Sequence, residues 1–297
     1  MLITLLIPLG LVAIICMFVL LSAAIRKRAV PNIEAMVLGA VVNFFDTLGI
    51  GSFAPTAAWF KFRRMVPDRL IPQTMLVGLT PPSILQGFIY LILLGVMVDP
   101  VLLVGCVLAC VTGGIVGVPL VARSRVCVVQ LVVAIGLFLA AIAYALTNLH
   151  LMPGGGTATG LSINLTIVAI VASFGFGVLL NFGVGNYAPT LVLLSLMGMD
   201  PRLCFPIMAA SAGLMGGAAS VRHIQMGQID LRIVLGITLS GFPAVLVAAF
   251  IVKQMPVETL RWLVIVVVLY AATVMARSAL IGWKGERIPL TPEAAAN

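Results

Sequence analysis

Residues 49–56 read GIGSFAPT and residues 183–190 read GVGNYAPT, and both stretches interrupt long apolar segments. Five of the eight positions are identical, and a shift of 134 residues also superposes Met65 on Met199, Pro67 on Pro201 and Pro72 on Pro206. The chain is therefore an internal duplication, and whatever architecture the first half adopts must serve the second half too. Two glycines two apart let the backbone leave helical geometry. Pro55 or Pro189 then fits the first turn of a new helix, where its missing N–H costs nothing. Ser52 and Asn186 stand three residues before those prolines and are placed to cap that helix.

The surroundings decide what such a break means. Hydrophobic residues make up 62% of the 297 and charged residues only 9%, and mean hydropathy is +1.23, so the chain reads as a polytopic membrane protein. A net charge of +8 suggests nucleic acid only where the cations share a soluble face; here they sit in short loops between apolar runs. They report topology instead. Residues 2–24 form the first run, followed at once by Arg26, Lys27 and Arg28, which reads as a retained span with its N-terminus outside.

Eight more runs follow at roughly 35–60, 70–97, 100–121, 126–147, 161–197, 203–220, 231–252 and 258–282. If all nine crossed the bilayer, the Lys and Arg residues would divide eight inside and nine outside. If 35–60 and 161–197 instead enter, turn at the glycines and leave on the side they entered, the division becomes fourteen inside against three outside, Arg202, Lys253 and Arg261. The second arrangement satisfies the positive-inside rule. About 12 residues on each side of the break give arms of roughly 18 Å, past the middle of a core about 30 Å thick.

The expected fold is an all-α integral membrane protein of about seven transmembrane helices plus two re-entrant or broken hairpins, built as two inverted repeats. The expected divisions are 1–30, an N-terminal helix; 31–148, repeat 1; 149–160, a flexible external linker containing Gly154, Gly155 and Gly156; 161–283, repeat 2; and 284–297, a cytoplasmic tail. Broken helices that span fully would make the repeats parallel instead.

A half-helix that starts deep in the membrane offers unpaired N–H groups and the positive end of its dipole, which favour an anion. Two such ends facing each other make a small donating pocket. The tip residues Gly49, Ile50, Gly51, Ser52 and Phe53, with Gly183, Val184, Gly185, Asn186 and Tyr187, are the expected binding set. Asn43, Thr47, Thr56 and Asn181 flank the tips and can donate to an oxyanion or join helices. Gln86 reaches the pocket from the next helix, which Pro81 and Pro82 must kink. Asp46, three residues before Gly49, has Leu180 at its matching position. Its carboxylate is a candidate for proton coupling or ion coordination, or it accepts the backbone N–H groups freed at the break.

The duplicated Gly-x-Gly-x-x-x-Pro breakpoint in a two-repeat chain of this length resembles the TauE/SafE family of sulfite exporters, over about residues 34–280. The resemblance implies secondary transport of sulfite, sulfonates or related organic anions with ion coupling. Members commonly carry a third glycine in the first breakpoint, where this chain has Ser52 and Phe53, and Asn186 and Tyr187 in the second. These larger side chains bear on which anion fits.

The function expected is export of a small sulfur-containing or organic anion through the inner membrane, with the C-terminus cytoplasmic. A passive anion channel and a non-transporting membrane assembly factor remain the alternatives. The expected partners are the anion and the lipid bilayer, with no nucleic acid and no cofactor, and a homo-oligomer left open. The sequence carries no catalytic set or metal-ligand spacing. Cys16, Cys106, Cys110, Cys127 and Cys204 fall in or beside apolar runs as packing residues. His150 and His223 fall in loops.

Overall fold

In a computed structural model, residues 2–49, 51–67, 70–121, 126–149, 156–180, 186–227 and 229–286 are described. They form eleven α-helices: α1 Leu2–Arg26, α2 Ile33–Thr47, α3 Phe53–Arg63, α4 Ile71–Leu93, α5 Pro100–Val121, α6 Val126–Asn148, α7 Ile163–Leu180, α8 Tyr187–Leu196, α9 Phe205–Met226, α10 Leu231–Gln254 and α11 Val257–Glu286. Six segments among the described residues are long and apolar enough to cross a membrane, and they fall on α1, α4, α5, α9, α10 and α11. The 23-residue α6 carries no charged side chain and has the same length class. The two duplicated breaks divide the remaining apolar segments into α2 with α3 and α7 with α8.

The 134-residue shift lays α2 on α7, α3 on α8, α4 on α9, α5 on α10 and α6 on α11. Packing repeats the same exchange, since α2 lies against α10 and its counterpart α7 lies against α5. Helix directions can be read from close approaches. A Cβ on Gly87 would sit 3.3 Å from the Ala209 carbonyl, and one on Gly213 would sit 3.3 Å from the Ile84 Cα. Ser220 donates to Thr80 at 3.0 Å. Rising numbers on α4 thus meet falling numbers on α9, so these equivalent helices run antiparallel. Only a two-fold axis lying across the helices relates equivalent helices that way, and this is the geometry of an inverted repeat.

Each breakpoint segment returns to the end from which it started. Glu34, in the first turn of α2, accepts from Arg63 in the last turn of α3 at 2.7 Å and from the Trp59 indole at 3.1 Å. At the second hairpin, Ala158 donates to the Gly198 carbonyl at 3.2 Å and accepts from Asp200 at 3.0 Å. These contacts fix hairpins rather than broken helices that continue across. The arms are less equal than 12 residues each: α2 and α3 have 15 and 11 residues, and α7 and α8 have 18 and 10. Residues 156–160 are not a free tether, because backbone pairs tie Ala158 to Gly198 and Asp200, and Thr159 accepts from Asp99. Residues 150–155, with His150, and the tail beyond Glu286 lie outside the described residues.

The core lies where α4 crosses α9. Pro81 and Pro82, inside α4, remove backbone donors there. The Gly78 carbonyl, four residues before Pro82, receives the Thr238 hydroxyl of α10 at 3.0 Å instead. Small residues let the seams close. A Cβ on Gly39 would fall 2.5 Å from the Ile237 Cα, and one on Gly177 would fall 2.0 Å from the Cys110 carbonyl. Such distances tolerate only glycine.

Candidate functional site

At the first break, helix α2 ends at Thr47, and Gly49 and Gly51 take φ of 95° and 85°. That region suits glycine and strains any residue with a Cβ. At the C-terminal end of α2 the Asp46 carbonyl accepts from the Gly49 N–H at 2.8 Å, and α4 adds side-chain donors. The Tyr90 hydroxyl donates to the Thr47 carbonyl at 2.7 Å, and the Gln86 amide donates to the Asp46 carbonyl at 3.4 Å. Both side chains are fully buried. An unmet buried carbonyl would cost about 1–3 kcal/mol, which is why α4 carries polar side chains at this depth.

Gln86 also reaches the second break. Its side-chain oxygen accepts from the Tyr187 hydroxyl, the first residue of α8, at 2.9 Å. One buried amide therefore links the end of α2 to the start of α8, and the two breakpoints meet. A Cβ on Gly49 would lie 3.7 Å from Leu191 of α8 and from Phe205 of α9. The start of α3 lies one break beyond α2, so the amino ends of two half-helices approach this junction, and among the described residues, its chain neighbours aside, no heavy atom lies within 4 Å of where a Cβ on Gly51 would stand. The arrangement supplies backbone donors, two positive helix ends and open space beside one glycine, which suits a small anion.

Several expected roles change. Ser52 and Asn186 do hold the N-cap positions, but neither side chain makes a cap hydrogen bond. Both residues have helical φ and ψ, near −94° and −23° for Ser52, rather than the extended geometry that aims a cap side chain back at the helix. Asp46 instead lies across the break, with its carboxylate beside the hydroxyl and backbone N–H of Ser52. The Asn186 amide turns to the Met208 carbonyl of α9 at 3.4 Å.

Asn43 lies away from the tip. It donates to Gly39 within its own helix at 2.7 Å and packs where a Cβ on Gly241 of α10 would sit 2.7 Å from its nitrogen. Thr47 and Thr56 likewise return their hydroxyls to carbonyls four residues back, each at 2.7 Å. Phe53 is 48% exposed and so is not enclosed at the junction; unlike Tyr187 it has no hydroxyl to be held by. Ile50, Asn181, Gly183, Val184 and Gly185 lie outside the described residues.

Sequence reasoning missed three contributors. Tyr90 both donates to Thr47 and stacks on Phe205, with ring centroids 5.1 Å apart. A signal existed, since the chain uses 14 Phe and only 4 Tyr, and a tyrosine in an apolar helix needs a partner for its hydroxyl. Cys110 of α5 lies beside Ser211 of α9 and Asn186, bringing α5 and α9 against the second break. Among the described residues, no group of three or more His, Cys, Asp or Glu side chains is placed to hold a metal ion.

Residues 165–296 match the family model described as Sulfite exporter TauE/SafE. The matched stretch is the second hairpin and everything after it, and it supports the resemblance carried by the paired breakpoints. No curated protein and no solved structure matches the chain.

Proposed function

We propose that this chain, similar over its second repeat to the sulfite exporters, is a secondary transporter that exports a small sulfite-type or sulfonate anion. The junction of the two breakpoints is its binding site. The observation that carries the reading is Gln86, a buried amide that joins Asp46 at one break to Tyr187 at the other. Backbone N–H groups at Ile50, Gly51, Ser52 and Phe53 would face those at Gly183, Val184, Gly185, Asn186 and Tyr187 across the anion, with the Gly49 N–H held by the Asp46 carbonyl at 2.8 Å. The inverted repeat supplies alternating access, with one repeat moving against the other so that the same site opens to each side in turn.

Orientation follows the charges. Arg26, Lys27, Arg28, Lys61, Arg63, Arg64, Arg222 and Arg232 sit at the helix ends grouped with the finish of α1, whereas Arg202 and Lys253 sit at the other end. The first group belongs in the cytoplasm, placing the N-terminus outside in an inner membrane. For Asp46, its place beside Ser52 at the break supports a tip-holding role.

The test is flux of sulfite, thiosulfate, sulfate and an organosulfonate in proteoliposomes, with and without a proton gradient. Saturable flux of one anion is expected, abolished by Gly51→Leu with Gly185→Leu while the protein stays folded. Flux unchanged by that pair would overturn the site. Flux that never saturates and ignores the gradient would select the channel, and no flux of any anion the assembly factor.

A further inference from the structure

Two cavities open beside the paired helices α2 and α10, one where the α1–α2 connection meets the start of α10 and one on the outer face of the pair. The first, about 400 Å³, lies at the end of the bundle where α1 finishes and is lined by Lys27, Arg28, Ala29, Val30, Leu231 and Arg232. The second, about 450 Å³, is apolar and is lined by Val41, Phe44 and Phe45 of α2 with Pro243, Ala244 and Val247 of α10. The two helices run parallel, from the bond between Asn32 and Arg232 at 3.0 Å to the approach of Gly241 on Asn43. Both cavities therefore lie on one line, separated by roughly 13 Å at 1.5 Å per residue from Leu231 to Ser240. Ile33, Val37, Val41 and Phe45 are all exposed. They recur every four residues, so they form one apolar stripe that leads from the first cavity into the second.

The charges of the first cavity are unspent. Glu34, in the first turn of α2, is paired with Arg63, and the Asp230 carboxylate accepts the backbone N–H groups of Arg232 and Ile233. Within the described residues, Lys27, Arg28 and Arg232 make no ion pair. Three cations at the membrane edge, followed by an apolar track running inward, complement a molecule with a phosphate at one end and a hydrocarbon chain at the other. The pseudo-equivalent seam of α5 and α7 provides a built-in comparison. It also exposes an apolar stripe, Ile163, Ile167 and Val171, but its starting end presents Asp99 against Gly160.

We propose that the α2–α10 seam binds one anionic phospholipid, its phosphate held by Lys27, Arg28 and Arg232 and an acyl chain lying along the α2 stripe into the apolar cavity. The seam joins the two repeats, so this lipid touches both. The proposal needs only residence in a bilayer and is independent of which solute, if any, crosses at the breakpoints.

The test is lipid retention measured by native mass spectrometry of the full chain, released from nanodiscs holding phosphatidylglycerol and phosphatidylcholine in equal amounts. One phosphatidylglycerol per chain is expected, retained in preference to phosphatidylcholine. Lys27→Gln with Arg28→Gln and Arg232→Gln should weaken retention about a hundredfold, at about tenfold or less per cation lost at a membrane surface. Arg202→Gln with Lys253→Gln, at the other end, should leave it unchanged. Ala244→Trp fills the apolar cavity without touching a cation and should also release the lipid, with folding checked by thermal unfolding in detergent. Equal retention of both lipids, or retention unaffected by the triple substitution, would overturn the proposal. So would displacement of the lipid by inorganic phosphate alone, which would mark a soluble-anion site. A dimer that Ala244→Trp dissociates, in protein carrying no lipid, would assign the groove to a second copy of the chain and equally overturn it.

Discussion

At the first break, Gln86 and Tyr90 of α4 meet the carbonyls of Asp46 and Thr47. The residues that the 134-residue shift places there in α9 are Ser220 and Ile224, and Ser220 turns away to Thr80. Asp46 spans the first break to Ser52, whereas Leu180 stands in its place before the second. The second break is held from its far side instead, through Asn186 on Met208 and Tyr187 on Gln86. Duplication has kept the backbone device and let its polar supports diverge. The lesson is that a fold with two-fold symmetry contains a site without it, and that one residue, Gln86, serves both halves.

The largest effect should come at the two equivalent seams, which both close on glycine though at different positions of the repeat, Gly39 aligning with Ser173 and Gly177 with Asn43. Gly177→Ala and Gly39→Ala each force a Cβ into backbone of the facing helix, and each should lose about 1–3 kcal/mol of stability from overpacking. Unfolding in detergent checks this, and a neutral Gly39→Ala would break the equivalence of the seams. Next, Gln86→Leu should cost about 2 kcal/mol by leaving the Tyr187 hydroxyl without its acceptor, whereas Ser220→Ala at the matching position should cost under about 1 kcal/mol. Equal losses would show that Gln86 is no more a bridge than its counterpart.

Asp46→Leu makes the first break resemble the second and should cost about 1–2 kcal/mol, the worth of a capping contact. Asp46→Asn keeps an acceptor for Ser52, so it should recover most of that stability and leave the proton dependence of flux unchanged. Loss of that dependence with stability intact would return Asp46 to a coupling role. Smallest is the exchange of aromatic identities. Tyr187→Phe should cost about 1 kcal/mol for its buried hydrogen bond, and Phe53→Tyr, on an exposed side chain, should stay within about 0.5 kcal/mol by the same unfolding assay.

The duplicated glycines and the loop charges made the hairpins and the inverted arrangement legible before any coordinates, because both are one-dimensional patterns with a bilayer as reference frame. Gln86 was legible too, as an amide in an apolar helix that must find a partner. Side-chain direction was not. Ser52 and Asn186 have the right residue type at the right position for caps, yet their helical backbone angles turn the side chains elsewhere. Asn43 and the threonines spend their donors one turn back in their own helices. Helical membrane segments permit that local solution wherever no outside partner competes, and sequence spacing alone does not reveal the competition.

The bases of the two hairpins are closed by different chemistry. Glu34 and Arg63 meet through side chains that are 35% and 52% exposed, so dissolved ions weaken their attraction, with a screening length of about 8 Å at physiological ionic strength. The pairing of Ala158 with Gly198 and Asp200 is backbone to backbone and carries no net charge to screen. Ionic strength therefore acts as a one-sided solvent variable on this molecule. Concentrated electrolyte loosens the first hairpin at its root and leaves the second fastened, so the halves respond unequally to the two solutions a membrane keeps apart.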